Sequence, residues 1–436
     1  MTIPAHARGQ AQALLDFIDA SPSPWHAANT AGQQLLAAGF TQLDETQRWQ
    51  LAPGGRYFVV RGGASLIAFI LGQQALPESG LRLVGAHTDS PGLRLKPKAA
   101  HRCDGVMRLG VEVYGGPLLA TFADRDLSLA GRVSVRCQGG FETRLMHFAE
   151  PLVRLPNLAI HMNRDVNENG LKFNKQTELP LLFGMLRETT NDKEDSQFSA
   201  CLARELQVDA GDILSWEMNI YDTQRGSFWG ADGEFIADSQ LDNLASCHAA
   251  LTALLATSSP AATCLCALFD HEEVGSESAA GAGGSFVADV VRRIAVNTGL
   301  DEEAQHCALA RSFFVSADMA HAYHPNFPAA YEPNHRVMVN AGPVIKSNAS
   351  QRYTTGAESA ARFIACCESA GVPHQQYAHR SDLGCGSTIG PIVASRLGIS
   401  SVDVGSPMWA MHSVRESAGV LDHGYMIGAL GAVFGS

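Results

Sequence analysis

The hydrophobic positions of this chain change their period twice, and the changes divide it into three stretches. In the first, Ala11 to Ala20 has apolar residues at helical spacing. Ser23-Pro24 supplies an N-cap and a first-turn proline for a second helix, which Gly39 would end. Tyr57 to Gly62 and Ser65 to Leu71 read as a hairpin joined through Gly62-Gly63, and Leu81 to Ala86 as a further strand. From about Ala99 to Phe235 short β-like runs such as Val106 to Leu109, Val111 to Tyr114 and Gly131 to Cys137 alternate with turns. Helices are expected there at Leu181 to Thr189 and Ser199 to Leu206, and a solvated loop at Asn191 to Ser196. After Phe235 a stripe of Leu244, Cys247, Leu251, Leu254 and Leu255 marks a helix. Thr263 to Phe269 is continuously apolar, as in a strand buried on both faces, and Ser312 to Ala317 is similar. Helices from Glu358 to Ala370 and from near Ser387, with a strand at Ser401 to Val404, continue the alternation. The pattern predicts an α/β domain over 1–98 and 236–436, interrupted by a β-rich insert over 99–235.

Length and composition narrow the class. A chain of 436 residues has ample material for a core without staples. No window reaches the apolar length of a membrane span, and Met1 to His6 has no signal-peptide character, so a cytoplasmic protein with no membrane partner is expected. The ten cysteines include no Cys-x-x-Cys pair and read as reduced thiols. A formal charge of −12 argues against general affinity for nucleic acid.

Several candidate chemical groups stand at strand ends. Asp270-His271-Glu272-Glu273 closes the apolar run that ends at Phe269. A bare Glu-Glu pair reads first as two solvated loop residues. At a strand end, however, neighbouring side chains diverge, so one carboxylate can bind a cation while the other reaches toward a water. The strand at Leu81 delivers His87-Thr88-Asp89, in which the imidazole can ligate a metal and a nearby carboxylate can fix its tautomer. Asp318 follows a third run. His412 follows the Ser401 to Val404 strand through a loop, and Asp242, which by itself reads as a helix N-cap, opens the Leu244 helix. Ligands collect at the carboxyl ends of strands in open α/β sheets. His87, Asp242, Glu273, Asp318 and His412, with Asp242 bridging, would hold two divalent ions about 3.5–4 Å apart. The lack of cysteine ligands suits an open catalytic site for zinc, with cobalt or manganese as alternatives.

At these residues the chain resembles the aspartyl aminopeptidase family, two-metal exopeptidases that remove N-terminal acidic residues from peptides. The strings that carry the resemblance are Gly85-Ala86-His87-Thr88-Asp89-Ser90-Pro91, Leu241-Asp242-Asn243, Asp270 to Ser276, Ser316-Ala317-Asp318-Met319-Ala320-His321 and Met411 to Glu416. The resemblance implies a mixed-sheet catalytic domain with an inserted dimerisation domain. It implies that His87 and Asp318 hold one metal, Glu273 and His412 the other, and that Asp242 bridges. Glu272 would be the base, with Asp89 also at the catalytic centre. It further nominates Lys346 and His321 for the acidic side chain, with His161 reaching a neighbouring subunit's site. By itself Lys346 reads as a surface lysine, and His161 as a satisfied buried or interface histidine. The resembled family forms dimers assembled into a dodecamer. Two other readings of the ligand set stay open at this point: another two-metal amide hydrolase, such as a carboxypeptidase or N-deacylase, or a non-enzymatic assembly protein on the same fold.

Overall fold

The computed structural model describes residues 3–186 and 196–436. The expected loop at Asn191 to Ser196 lies outside them except for the backbone of Ser196, which opens a helix. The chain divides into two compact units, one of residues 1–89, 226–411 and 416–436, the other of residues 90–225 and 412–415.

The first unit is built on a nine-stranded mixed sheet. Its four central strands, Thr263–Phe269, Leu81–His87, Phe313–Ala317 and Ser400–Gly405, lie side by side and parallel. The hairpin Arg56–Arg61 and Ser65–Ile70 is antiparallel, and both glycines of its turn have positive φ (63° and 75°), a conformation open to glycine without steric penalty. On the Thr263–Phe269 strand, Cys264, Cys266 and Leu268 pack into one core, while Leu265, Ala267 and Phe269 pack into another. That is why the strand is apolar at every position: both of its faces are covered. Helices Ala5–Asp19, Leu241–Ala256 and Val420–Gly435 contribute residues to the first core, and Phe286–Asn297 and Ile389–Leu397 to the second. Gly85 faces the second core where a Cβ would come within 2.8 Å of the Phe314 ring, so no larger residue fits without displacement. A five-stranded sheet, running Ser227–Trp229, Phe235–Asp238, Glu416–Gly419, Pro407–Trp409, Ala320–His321, completes the unit.

The second unit carries a six-stranded sheet, all of whose pairings are antiparallel. Leu181–Met185, expected as a helix, is a strand paired antiparallel with Val106–Tyr114. Edge pairing overrode the helical preference of its leucines. Helix Ser196–Leu206 forms as expected. Among the described residues no helix is long and apolar enough to cross a membrane, and no cysteine is in a disulfide.

Within the first core His248 and His423 form a buried pair, with Nδ1 of one 2.8 Å from Nε2 of the other. Burial pulls His248 from 6.5 down to about 4, and burial with His248 alongside pulls His423 well below its ordinary value. Both are therefore neutral in the folded chain, while in the unfolded chain they bind protons as pH falls below about 6.5. Stability present above pH 6.5 is lost as pH falls toward 4. In chelated protein, His248→Leu/His423→Leu should flatten this part of the pH dependence, read as urea midpoints from pH 7 to 4. An unchanged slope would show that the pair does not contribute.

Candidate metal centre

The site forms at the carboxyl ends of the central parallel strands, where backbone that has left the sheet must be held by specific hydrogen bonds. His87 ends its strand and is 1% exposed. Its Nδ1 lies 3.0 Å from the backbone oxygen of Asp89, which places a hydrogen on Nδ1 and leaves Nε2 as the nitrogen that a metal could take in place of a proton. That Nε2 stands 3.5 Å from Asp242 Oδ1 and 3.4 Å from Asp318 Oδ1. Asp242 and Asp318 are 3% and 8% exposed.

Asp242 is not a helix cap. Gln240 takes that place with positive φ, and Asp242 and Asn243 have non-helical torsions across a cis peptide, so the regular helix starts beyond them. Two contacts set this entry segment: the Asp242 amide donates to Glu416 Oε2 at 3.0 Å, and Asn243 Nδ2 donates to the backbone oxygen of Ala317 at 2.9 Å. The latter bond ties Asp242's turn to the strand that presents Asp318.

The acidic pair lies in a single 3-10 turn, Glu272–Val274, entered through His271 at φ 65° and left through Gly275 at φ 98°. Asp89, fully buried, holds that turn. Its Oδ1 accepts from the Glu272 amide and its Oδ2 from the Glu273 amide, both at 3.1 Å. The Asp89 carboxylate was expected to orient the His87 ring. Its backbone oxygen lies closer to Nδ1 than its carboxylate does, 3.0 Å against 3.5 Å, and the carboxylate braces the glutamates.

Electrostatics identify what the cluster requires. Burial alone would push the His87 imidazole down, yet the carboxylates of Asp242, Asp318 and Asp89 hold it well above its ordinary value. Burial pushes the Glu272 carboxyl up, His87 opposes this, and Asp318, Glu273 and Asp89 add like charge that reinforces it. Positive charge is thus favoured where His87, Asp242 and Asp318 converge. One ligand atom from each of these three lies within 4.8 Å of the others, and the same holds for His87, Glu272 and Glu273. A nitrogen and several hard oxygens with no thiolate fit zinc in a catalytic setting.

Lys346 is not a surface residue: it is 2% exposed, and its Nζ donates to the backbone oxygens of Asp318 at 2.9 Å and Met319 at 3.2 Å. Burial, with Lys346 and His379 nearby, brings His321 down to about 4, against Asp242 and Asp318. His412 belongs to the second unit, where its Nδ1 lies 3.1 Å from the backbone oxygen of Gly116. His161, in the same unit, is exposed in a turn rather than buried, and its apolar neighbours Leu158, Ile160 and Met162 are themselves 63%, 47% and 74% exposed. Reading the sequence missed the structural parts played by Glu416 and Asn243. Both stand in the quoted motifs, but their partners are backbone atoms far along the chain.

The sequence profile described as "Aminopeptidase I zinc metalloprotease (M18)" matches residues 17–434. The chain belongs to the M18 family. It is 47% identical over 429 residues to a probable M18 family aminopeptidase 2 of Stutzerimonas stutzeri, covering 98% of each chain. A Pseudomonas fluorescens protein of the same description is 47% identical over 425 residues, again at 98% of each. Among solved structures, a chain of the Ape4 and Nbr1 complex superposes with a TM-score of 0.96 at 36% identity, over 100% of this chain and 88% of that one. The S. cerevisiae mApe1 dodecamer superposes at 0.85 and 27% identity, over 98% and 96%. An M18 chain is an aminopeptidase and a metalloprotease, which sets aside the carboxypeptidase, deacylase and non-enzymatic readings.

Removing the Asp89 carboxylate would leave two part-buried amides without acceptors, at about 1–3 kcal/mol each. Asp89→Ala should therefore speed hydrogen exchange at the Glu272 and Glu273 amides well above the change at the Thr263–Phe269 strand. Equal protection in variant and parent would show that the turn is held by something else.

Proposed function

We propose that this M18 aminopeptidase removes acidic residues, Asp or Glu, from peptide N-termini with two divalent ions, zinc in the first place. The observation that carries the catalytic part is the convergence of His87, Asp242 and Asp318 on one point, with Glu272 and Glu273 on the adjoining turn. His87 and Asp318 would hold one ion, Glu273 would belong to the other, and Asp242 would be shared between them. For His412 as a further ligand of the second ion the support is the sequence string Met411 to Glu416.

Bound divalent ions supply Lewis acidity toward the attacking water and the scissile carbonyl. Glu272 accepts the water's proton and delivers it to the leaving amine. Its turn, braced by Asp89, keeps the carboxylate in place through both transfers. For the acidic side chain the support is a buried cation, Lys346, next to Asp318. An acidic residue desolvated there would gain a charge partner that a leucine could not use.

For function in an assembly the support lies in the second unit. Exposed Leu158, Ile160 and Met162 flank His161, and Phe141 (67%) lies on the edge strand Gly140–His147. Such surfaces call for a cover. A solved relative, mApe1, is a dodecamer. We take the cover to be further copies of this chain, dimers assembled into a dodecamer, with His161 serving a neighbouring copy's substrate pocket.

Kinetics on zinc-loaded protein test the reading. Asp- and Glu-initial peptides should be cleaved faster than matched Leu- and Ala-initial ones. Glu272→Gln should keep its zinc and lose about 10²–10⁴-fold in kcat, since the amide cannot take the water's proton. Preference for Leu peptides would refute the substrate assignment, and normal turnover of zinc-loaded Glu272→Gln would remove Glu272 as the base.

A further inference from the structure

Lys346 brings positive charge to the site but has little left to donate. An ammonium has three hydrogens. Two of them go to the backbone oxygens of Asp318 and Met319, and the Asp318 carboxylate stands 3.7 Å away on the Oδ2 side. A substrate carboxylate entering beside it would find charge and one remaining N–H, and a buried carboxylate is costly unless hydrogen bonds to both of its oxygens replace its water. Another donor is needed.

Close to Lys346 lies a group of aromatic and imidazole side chains. Lys346 Nζ is 5.1 Å from the Tyr353 ring centre, and Tyr353 and Tyr377 share one small core. The His321 ring is 6.2 Å from both Tyr377 and His379. Tyr377 is 5% exposed, and its hydroxyl is 2.6 Å from His379 Nδ1. Burial pushes the Tyr377 phenol up, so it keeps its hydrogen, and His379 Nδ1 is the one acceptor in reach of that hydroxyl among the described residues, so donating to it is what satisfies the hydrogen. Nδ1 is then the acceptor nitrogen, and in neutral imidazole the ring hydrogen sits on Nε2. This Nε2 is shielded from solvent and has no hydrogen-bond partner among the described residues. A shielded donor without an acceptor is an open valence for a ligand.

We propose that His379 is a specificity-determining residue of the peptide site, donating its Nε2 hydrogen to the side-chain carboxylate of an acidic N-terminal residue while Tyr377 sets its tautomer. The inference rests on the acid-selective reading given above and adds a second, directed donor to it. Charge from Lys346 and a directed hydrogen bond from His379 would act together. A Leu or Ala side chain would leave the donor unfilled, so discrimination arises from both sides of the comparison.

The test is a kcat and KM matrix for matched Asp-, Glu- and Ala-initial peptides with parent, His379→Ala, His379→Gln and Tyr377→Phe proteins, each checked for zinc content and assembly state. In His379→Ala the ratio of kcat/KM for Asp over Ala peptides should fall about tenfold or more, mostly through KM for the Asp peptide, because a hydrogen bond to a charged group is lost. His379→Gln, whose amide can donate, should recover part of the ratio. Tyr377→Phe, which frees the tautomer, should show an intermediate loss. A parent that prefers acidic peptides with an unchanged ratio in His379→Ala would overturn the role of His379 and leave the acid-selective reading standing. A parent without that preference would overturn both, and the parent's own kinetics would show it. If His379→Ala lost zinc or assembly, unchanged ratios in both His379→Gln and Tyr377→Phe would overturn the proposal.

Discussion

Like charge gathered in one buried place is the constraint on which the rest of this structure depends. Asp242 and Asp318 face the same imidazole nitrogen, both nearly inaccessible to water, and the Glu272-Glu273 turn stands beside them. Such a cluster is unfavourable without compensating positive charge, and the upward shift of His87 expresses that demand. The surrounding chain holds the groups together in spite of it. Asp89 grips the glutamate turn by its amides, Glu416 takes the Asp242 amide, Asn243 bonds to the Ala317 carbonyl, and Lys346 bonds to the backbone of Asp318 and Met319. Each of these segments is thus tied by a group from elsewhere in the sequence, which orients the side chains that it carries.

The parallel strands make this possible. Their directions place His87, Asp318 and the residues after Phe269 at one end of the sheet. Their continuous burial anchors that end from beneath with two separate cores. Side chains on the turns can then diverge while the strands that carry them are held by packing on both faces.

Much of this was legible in the chain because its signals are local. An apolar run ending in acids, a strand ending in His-x-Asp and an apolar run ending at Asp318 each name a strand and the group at its tip. What escaped depends on distant partners. Glu416 sits 174 residues from the amide that it accepts, and the Asp89 carboxylate braces a turn 183 residues away, so neither arrangement leaves a trace in spacing. Asp242, named as a bridging ligand, read in isolation as a helix cap because Asp is a common cap at a helix start, and only the structure shows Gln240 in that place. Lys346, nominated only through the family resemblance, read in isolation as a surface residue because lysines usually are, and its burial shows only in the structure. At Leu181 the helical preference of the leucines was overridden by pairing at a sheet edge, which a local reading cannot see.

The central claim is that this buried cluster is built to be neutralised by metal. Zinc-edge anomalous diffraction from crystals of the zinc-loaded protein tests it most directly. The account predicts one peak within bonding distance, about 2.0–2.2 Å, of His87 Nε2 and of Asp242 and Asp318 carboxylate oxygens, and a second peak sharing Asp242 beside Glu273. Fully loaded, active crystals with zinc elsewhere, or with no peak among these side chains, would contradict it.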